Sequence, residues 1–486
     1  MAITRFAAVD IGAYNVQLKI FEITKEKGIV KIDNVKKELE LGSEVYRNGK
    51  LSFKTIEELC QVLYDFMVII KGYKVVDYAV GITSGLRQAT NIDTILDRIK
   101  VRTGFDVKVL SNSEQRFLSF KAVASCESKF DEFTKKPAAI VEVGSTSTQI
   151  SIFENGVLIA TNNIRLGSIR IRELIYELSE DSSHLDALID ELLLNDLQTY
   201  NRLYFKEQKV ENVIVIGEVL SSDVRKYAPD YKNKIYDLAE FLNLPGKTPC
   251  LKIYKKIVQN FKAKSVLISD VDMCDAIAAD YALANKKIKV AHNFEEDILE
   301  EARTICKRFS GNMKHIELLR EHTGAIFDAT KKYHGLNSRD KLLLSIAAIL
   351  HDCGKYISMR YAADCSYNII KTTEIIGLSH KEREIVANVV RYNTSELESN
   401  RVLGFNEDDY LKIVKLVAIL RVGNAMDRSH KQKYKNHKIE IKNNELIITA
   451  STNDDITLEI GLFKDKADFF EEVYGIRPIL RKKKGM

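Results

Sequence analysis

The segment AAIVEVGSTSTQISIF, residues 138–153, decides the fold. A buried-type apolar run over 138–143 is followed by the turn Gly144-Ser145-Thr146-Ser147-Thr148, and then by alternation over 149–153. That pattern predicts a β-hairpin. A similar hairpin lies upstream. There a short apolar run over 6–10 ends at Asp10-Ile11-Gly12, and imperfect alternation follows over 16–23. Segments 78–82, 157–161 and 213–216 read as further strands, with Asn155-Gly156 as a tight turn and Gly217 closing the last.

Two like hairpins imply a duplicated α/β lobe whose turns present backbone N–H groups to phosphates. From residue 294 the character changes. Helical periodicity runs through 301–309, 315–333, 342–351, 382–392 and 410–426. Beyond His437, alternation over 438–441, 446–449 and 456–460 predicts a small sheet, closed by a helix over 467–474. The expected domains are residues 1–120, 121–293, 294–437 and 438–486. The chain is long enough for two to four cores.

The bulk numbers bound the function loosely. Seventy-three Lys and Arg against 68 Asp and Glu give a net charge of +5, which suits an anionic ligand without requiring one. No stretch has the length and apolarity of a membrane span, and the N-terminus lacks a signal-peptide pattern. Seven scattered cysteines without a CxxC pair fit reduced thiols in a cytoplasm. The basic tail Arg481-Lys482-Lys483-Lys484 reads as a solvated end.

Several segments, in order, resemble the Ppx/GppA phosphatases (exopolyphosphatase and guanosine-pentaphosphate phosphohydrolase). Asp10-Ile11-Gly12 is similar to the family's opening D-(I/L)-G-S-N-S. The run Thr83-Ser84-Gly85-Leu86-Arg87-Gln88-Ala89-Thr90-Asn91 matches T-S-x-x-R-x-A-x-N at every specified position. Ser111-Asn112-Ser113-Glu114-Gln115 stands where the family has S-G-x-E-E. Residues 142–149 stand at D-I-G-G-G-S-T-E, and Leu166-Gly167-Ser168-Ile169-Arg170 at L-G-x-(V/I)-R. The resemblance implies α/β + α architecture: two actin-like (ASKHA, ribonuclease-H-like) lobes, an all-α HD-type domain and a small terminal α+β segment. It implies release of terminal phosphate from polyphosphate or pppGpp with Mg²⁺ or Mn²⁺. The partners it implies are polyphosphate or guanosine penta- or tetraphosphate and a second copy of the chain, not a membrane or a specific nucleic-acid sequence.

Residue by residue, the resemblance places phosphate contacts at Asp10, Gly12, Arg87, Gly144, Ser147 and Thr148, with Arg87 as a guanidinium fork. The catalytic positions fall on Glu114, Gln115, Glu142 and Gln149, and Glu142 also takes a metal role. Here the chain departs from the pattern. Gln115 and Gln149 replace the family's catalytic glutamates, and an amide neither accepts a proton at neutral pH nor binds Mg²⁺ well. Ala13-Tyr14-Asn15 replaces S-N-S and brings a bulky ring toward the cleft. Gly217-Glu218-Val219 places a charge where a glycine pair is expected. The expected activity is therefore weak, with Glu114 and Glu142 as substitute carboxylates. The alternative is an inactive relative that binds polyphosphate, (p)ppGpp or another nucleotide.

In the helical part, His351-Asp352 with His315 upstream resembles the H…HD…D metal set of HD phosphohydrolases. The final Asp of that set falls on Asn424, with Asp427 one turn on, and Cys365-Ser366 stands where a His precedes Ser. The metal residues implied are His315, His351 and Asp352. A structural role, or a basic channel for the polyanion, is the plainer expectation for this domain. His322 and His380 read as ordinary packing or surface residues.

Overall fold

The computed structural model describes residues 3–177, 185–205, 210–227, 231, 234–246 and 248–483. It divides into two compact units, residues 1–294 and 295–486.

The first unit is built on two sheets of matching topology. Strands β1 (Thr4–Ile11), β2 (Asn15–Thr24) and β3 (Gly28–Glu38) form an antiparallel meander, and β4 (Asp77–Ile82) and β5 (Val107–Val109) extend it in parallel, in the order β3-β2-β1-β4-β5. In the second sheet β6 (Ala138–Val143), β7 (Thr148–Glu154) and β8 (Val157–Ile164) form the meander. There β9 (Asn212–Ile216) and β11 (Ser265–Ser269) extend it in parallel, and β10 (Ile235–Asp237) adds an antiparallel edge. This repeated meander-plus-parallel order is that of actin-like lobes.

The two hairpin tips close identically. The Gly12 amide donates to the Asn15 carbonyl at 3.0 Å, and the Gly144 amide to the Ser147 carbonyl at 2.9 Å. Both β1 and β6 are buried along most of their length, as strands covered on both faces must be. Tyr254, fully buried, links β6 to β9: its hydroxyl accepts from the Val143 amide at 2.8 Å and donates to the Ile216 carbonyl.

Two helices are exchanged between the sheets. Helix Asn112–Cys126 follows β5 in sequence, yet its Phe120 packs on Phe153 of β7, with ring centroids 5.1 Å apart. Helix Met273–Ala284 follows β11, yet Tyr281 stacks on Phe6 of β1 at 4.0 Å. From the same helix and its cap, Asp275 and Asp272 hold Lys19 of β2 at 2.7 and 2.6 Å. The two helices pack on each other.

The second unit is mainly helical. Helices Met313–Ala329, Ser338–Leu350, His380–Arg391 and Glu407–Ala425 pack around a core that includes Leu319, Ile346, Val386 and Leu416. The terminal part differs from expectation in two places. Residues 457–460 begin the helix Thr457–Tyr474 and are not a strand. The third strand is instead β14 (Arg477–Lys483), parallel to β13 (Glu445–Ser451), which pairs antiparallel with β12 (His437–Lys442). Arg481, Lys482 and Lys483 thus belong to a sheet and are not a free tail, while Lys484 lies outside the described residues.

Candidate functional site

Glu142 sits one residue before the end of β6, beside Gln149 on β7 and Ile216 on β9 in the ladder. Strand alternation puts Ile140, Glu142, Gln149 and Ser151 on one face, where helix Asn112–Cys126 covers them with Arg116, Ser119 and Phe120. These residues line a recess with room for about one water molecule. Burial pushes the Glu142 carboxyl above its usual range, against the opposing pull of a hydrogen bond from Ser119, the charge of Arg116 and a hydrogen bond from Gln115. Gln115 and Gln149 are both buried, and the Oε1 atom of each lacks a hydrogen-bond partner.

The structure therefore brings Gln115, Glu142 and Gln149 together but gives Glu114 another task. Glu114 is the N3 residue of the helix and closes a capping box with Ser111, accepting from its amide at 3.0 Å. Lys108 Nζ lies 2.8 Å from the same carboxylate. Burial would raise the Glu114 carboxyl, but the lysine and the Ser111 amide outweigh it and hold the group below its usual range. Glu114 is a capping residue here, and it is absent from the groups that act on Glu142.

The expected phosphate contacts divide into two sets. At the first hairpin, Thr83 Oγ1 donates to Asp10 Oδ1 at 3.2 Å beside Gly12. Arg87 donates to the Leu110 carbonyl and to Asn112 Oδ1, so its fork ties the segment after β4 to the start of helix Asn112–Cys126. At the second hairpin, Thr148 is fully buried and its hydroxyl donates to the Leu166 carbonyl at 2.6 Å, which makes it a structural group. Ser147 is buried in the turn. The Gly144 carbonyl accepts from the Ser168 amide at 3.0 Å.

Tyr14 joins the two tips. Its hydroxyl lies 3.0 Å from Ser168 Oγ, and its ring faces the Arg172 guanidinium at 5.4 Å. Nearby, Arg47 pairs with Glu173 through two bonds of 2.8 and 3.1 Å. The bulky ring anticipated at position 14 thus acts as a latch between the sheets. Tyr14→Phe is expected to cost about 1 kcal/mol in stability, read from denaturant unfolding. Gly167 packs with its Cα against the turn: a Cβ there would lie 2.4 Å from the Ser145 carbonyl oxygen. Gly167→Ala is expected to displace the 144–147 turn and to lower the unfolding midpoint by the equivalent of about 1–3 kcal/mol. The Glu218 side chain lies outside the described residues.

Arg116 and Ser119 escaped the sequence reading. Ser119 stands four residues after Gln115, hence on the same helix face, and that spacing is the signal that could have found it.

In the second unit, His315 and His351 approach with Nε2 atoms 3.3 Å apart, and Asp352 Oδ2 is 3.3 Å from His351 Nε2. His315 Nδ1 bonds Asp427 Oδ2 at 2.8 Å, and His351 Nδ1 donates to the Ala348 carbonyl at 2.9 Å. His430, not anticipated from the sequence, joins His315 and Asp352 in a group whose ligand atoms lie within 4.8 Å of one another. Asp427, one turn after Asn424, reaches the cluster through His315. His322 is a core residue bonded to the Tyr434 carbonyl at 3.1 Å. Burial, with His437 beside it, pulls its pKa down to about 4.

Two sheets of matching topology with paired turns and a buried carboxylate beside them define an actin-like class of fold. Comparison with known sequences sharpens this. Residues 19–216 match the model of the Ppx/GppA phosphatase family, and residues 300–466 match Ppx/GppA phosphatase domain III. The chain belongs to the Ppx/GppA phosphatase family. It is 18% identical over 441 residues to guanosine-5'-triphosphate,3'-diphosphate pyrophosphatase of Vibrio parahaemolyticus, covering 85% of this chain and 86% of that protein. It is 23% identical over 119 residues to exopolyphosphatase 1 of Mycobacterium tuberculosis, covering 24% of this chain and 35% of the relative. Among solved structures, the Aquifex aeolicus Ppx/GppA family member aligns with a TM-score of 0.49 at 20% identity, over 60% of this chain and all of its own. Among the described residues, no helix is long and apolar enough to cross a membrane.

Proposed function

We propose that the protein is a slow phosphoanhydride phosphohydrolase acting on polyphosphate or guanosine pentaphosphate, with Glu142 as its working carboxylate. The observation that carries this reading is the raised Glu142 carboxyl in a recess lined by Arg116, Ser119 and Gln149. A carboxylate made more basic by burial can accept a proton from an attacking water, whereas the amides of Gln115 and Gln149 can only orient it. Arg116 places positive charge beside the place where charge develops on a transferring phosphoryl group.

Mg²⁺ or Mn²⁺ fits the donor set in kind. Glu142 Oε and the two amide oxygens that lack partners are hard oxygen ligands, although the set carries a single negative charge. Glu142 would hold such an ion, with the amide oxygens of Gln115 and Gln149 as weak neutral ligands. When bound, it would neutralise charge on the phosphate oxygens.

The test is phosphate release from long-chain polyphosphate and from guanosine pentaphosphate with Mg²⁺ or Mn²⁺. Slow release that disappears in Glu142→Gln is the expected result, and release that persists in this variant would exclude the assignment. The base works deprotonated, so kcat/KM is expected to rise with pH as Glu142 loses its proton. The amides at 115 and 149 favour a second reading, a binding protein without turnover. Its signature is a ligand-induced thermal shift with no phosphate released.

A further inference from the structure

We propose that two helices of the first unit form a clasp across the hairpin tips, and that a polyanion opens it by drawing Arg47 and Arg172 away from Glu173 and Glu40. The proposal rests on the polyanion reading of the cleft and is independent of turnover.

Each helix is an extension of one tip. Helix Leu41–Asn48 starts on the first, where the Gly42 amide donates to the Ala13 carbonyl at 2.8 Å. Helix Ser168–Glu177 starts on the second, where the Ser168 amide donates to the Gly144 carbonyl at 3.0 Å and the Ile169 amide to the Ser145 carbonyl at 2.8 Å. The helices meet at Gly42: a Cβ there would lie 2.8 Å from Ile169 Cδ1 and 2.6 Å from the Ala13 methyl. Glycine weakens a helix interior, so close approach is what its presence here gains. The Tyr14–Ser168 hydroxyl contact and a bond from Arg172 Nη2 to Ser43 Oγ close the same junction. The tips are thus locked to each other through their own helices.

Four charges complete the clasp, and they are placed unequally. Arg47 forks onto Glu173 at 2.8 and 3.1 Å, and Arg172 lies 3.6 Å from both Glu173 and Glu40. The Arg47 and Arg172 side chains are 57% and 40% exposed, whereas that of Glu173 is 4% exposed. The bond from Arg47, against the opposing effect of burial, holds the Glu173 carboxyl below its usual range. An approaching anion therefore meets the guanidinium groups before it meets Glu173. The rim favours its approach: residues 165–173 carry Arg165, Arg170 and Arg172 against Glu173 alone. A phosphoryl group offers a guanidinium the same two-pronged acceptor as a carboxylate, and a chain of them adds charge that one carboxylate lacks. Parting the helices also lets water reach Glu173, which a buried carboxylate deprived of its arginines requires. Capture of the arginines and opening of the tips are then one event, with the ligand selecting the open form.

The test is the affinity of the full chain for a bis-methylene triphosphate, which cannot be hydrolysed, measured by calorimetry. Glu173→Gln releases both arginines and is expected to tighten binding about fivefold or more, the equivalent of one lost hydrogen bond in the closed form. Arg47→Met breaks the same pair, and Arg172→Met its neighbour, yet each is expected to weaken binding about tenfold or more, the loss of a charge-assisted bond to the ligand. This opposition of sign separates a receptor from a plain latch: if all three variants tighten binding, the role given to the arginines is overturned. Arg47→Met strands a buried carboxylate, so the double variant Arg47→Met, Glu173→Gln, which does not, must also bind more weakly than Glu173→Gln. Circular dichroism reports whether each variant is folded. The chain contains no tryptophan, so Tyr14→Trp places a single reporter at the junction. Its emission is expected to move to longer wavelength as the triphosphate saturates, and an unmoved emission overturns the opening. Wild-type or weaker affinity in Glu173→Gln, or binding by no variant, overturns the clasp. Phosphate release from polyphosphate, lost or kept in Glu142→Gln, decides the hydrolase reading separately.

Discussion

The double substitution Gln115→Glu, Gln149→Glu is expected to raise phosphate release from polyphosphate by about 10²–10⁴-fold, the range a positioned general base supplies. Both side chains already point into the group around Glu142, one as its hydrogen-bond partner and the other as its neighbour in the ladder. The exchange of amide for carboxylate is nearly isosteric, so the recess need not change shape. Its electrostatics do change. Three carboxylates around one small recess repel each other and raise one another's pKa. The variant should therefore be less stable than the wild type without divalent metal and recover when Mg²⁺ or Mn²⁺ is added. Turnover measured with metal present, together with melting curves at several metal concentrations, checks both halves. A double variant as slow as the wild type under saturating metal would show that the two amides do not limit the reaction.

Lys19→Met is expected to cost about 3–5 kcal/mol, the usual penalty for removing one partner of a buried ion pair. Lys19 is 5% exposed and lies 2.6 Å from Asp272 and 2.7 Å from Asp275. Burial works against its charge, but the two carboxylates outweigh it and hold its pKa up. Asp275, through burial and then the charge of Asp272, is pushed up to about 6. That folded-state value exceeds the unfolded value of about 3.9. Protonation of Asp275 therefore favours the folded state, and this contribution is complete below about pH 4 and lost as pH rises through 6. Without Lys19 the two carboxylates face each other uncompensated, so the loss should be larger at pH 8 than at pH 5. Urea unfolding at the two pH values measures the difference. An equal loss at both, or one below about 1 kcal/mol, would refute the account.

The hairpins were legible because each required only local information: apolar run, small turn, alternation. The terminal part was not. Ile456, Leu458 and Ile460 alternate like a strand, yet the residues that are buried are Ile456, Glu459, Phe463, Ala467 and Phe470, a helical spacing. The sequence misleads because a charged residue takes an inner position. Glu459 is fully buried against Lys433 at 2.9 Å and Ser429 at 2.7 Å, while Leu458 and Ile460 are about half exposed. The strand Arg477–Lys483 was hidden for another reason. Its partner Glu445–Ser451 is separated from it by a whole helix, and parallel pairing leaves no turn signal.

The candidate site was legible where motif and register coincide, at Gln115, Glu142 and Gln149. Glu114 carried its own signal in the S-x-x-E spacing of a capping box, which the pull of a catalytic motif obscured. His430 could not be found from spacing, because a turn after helix Glu407–Ala425 brings it to His315 across more than a hundred residues of chain.

The exchanged helices have a consequence for how the protein is made. The face of the first sheet that bears Lys19 is finished only by Asp272 and Asp275, and Lys19 and Asp275 are 256 residues apart in sequence. At about 5–20 residues per second, a ribosome leaves that face uncovered for roughly 10–50 seconds. During that interval the nascent chain lacks one wall of that sheet, so a translational pause before residue 273 prolongs the exposure.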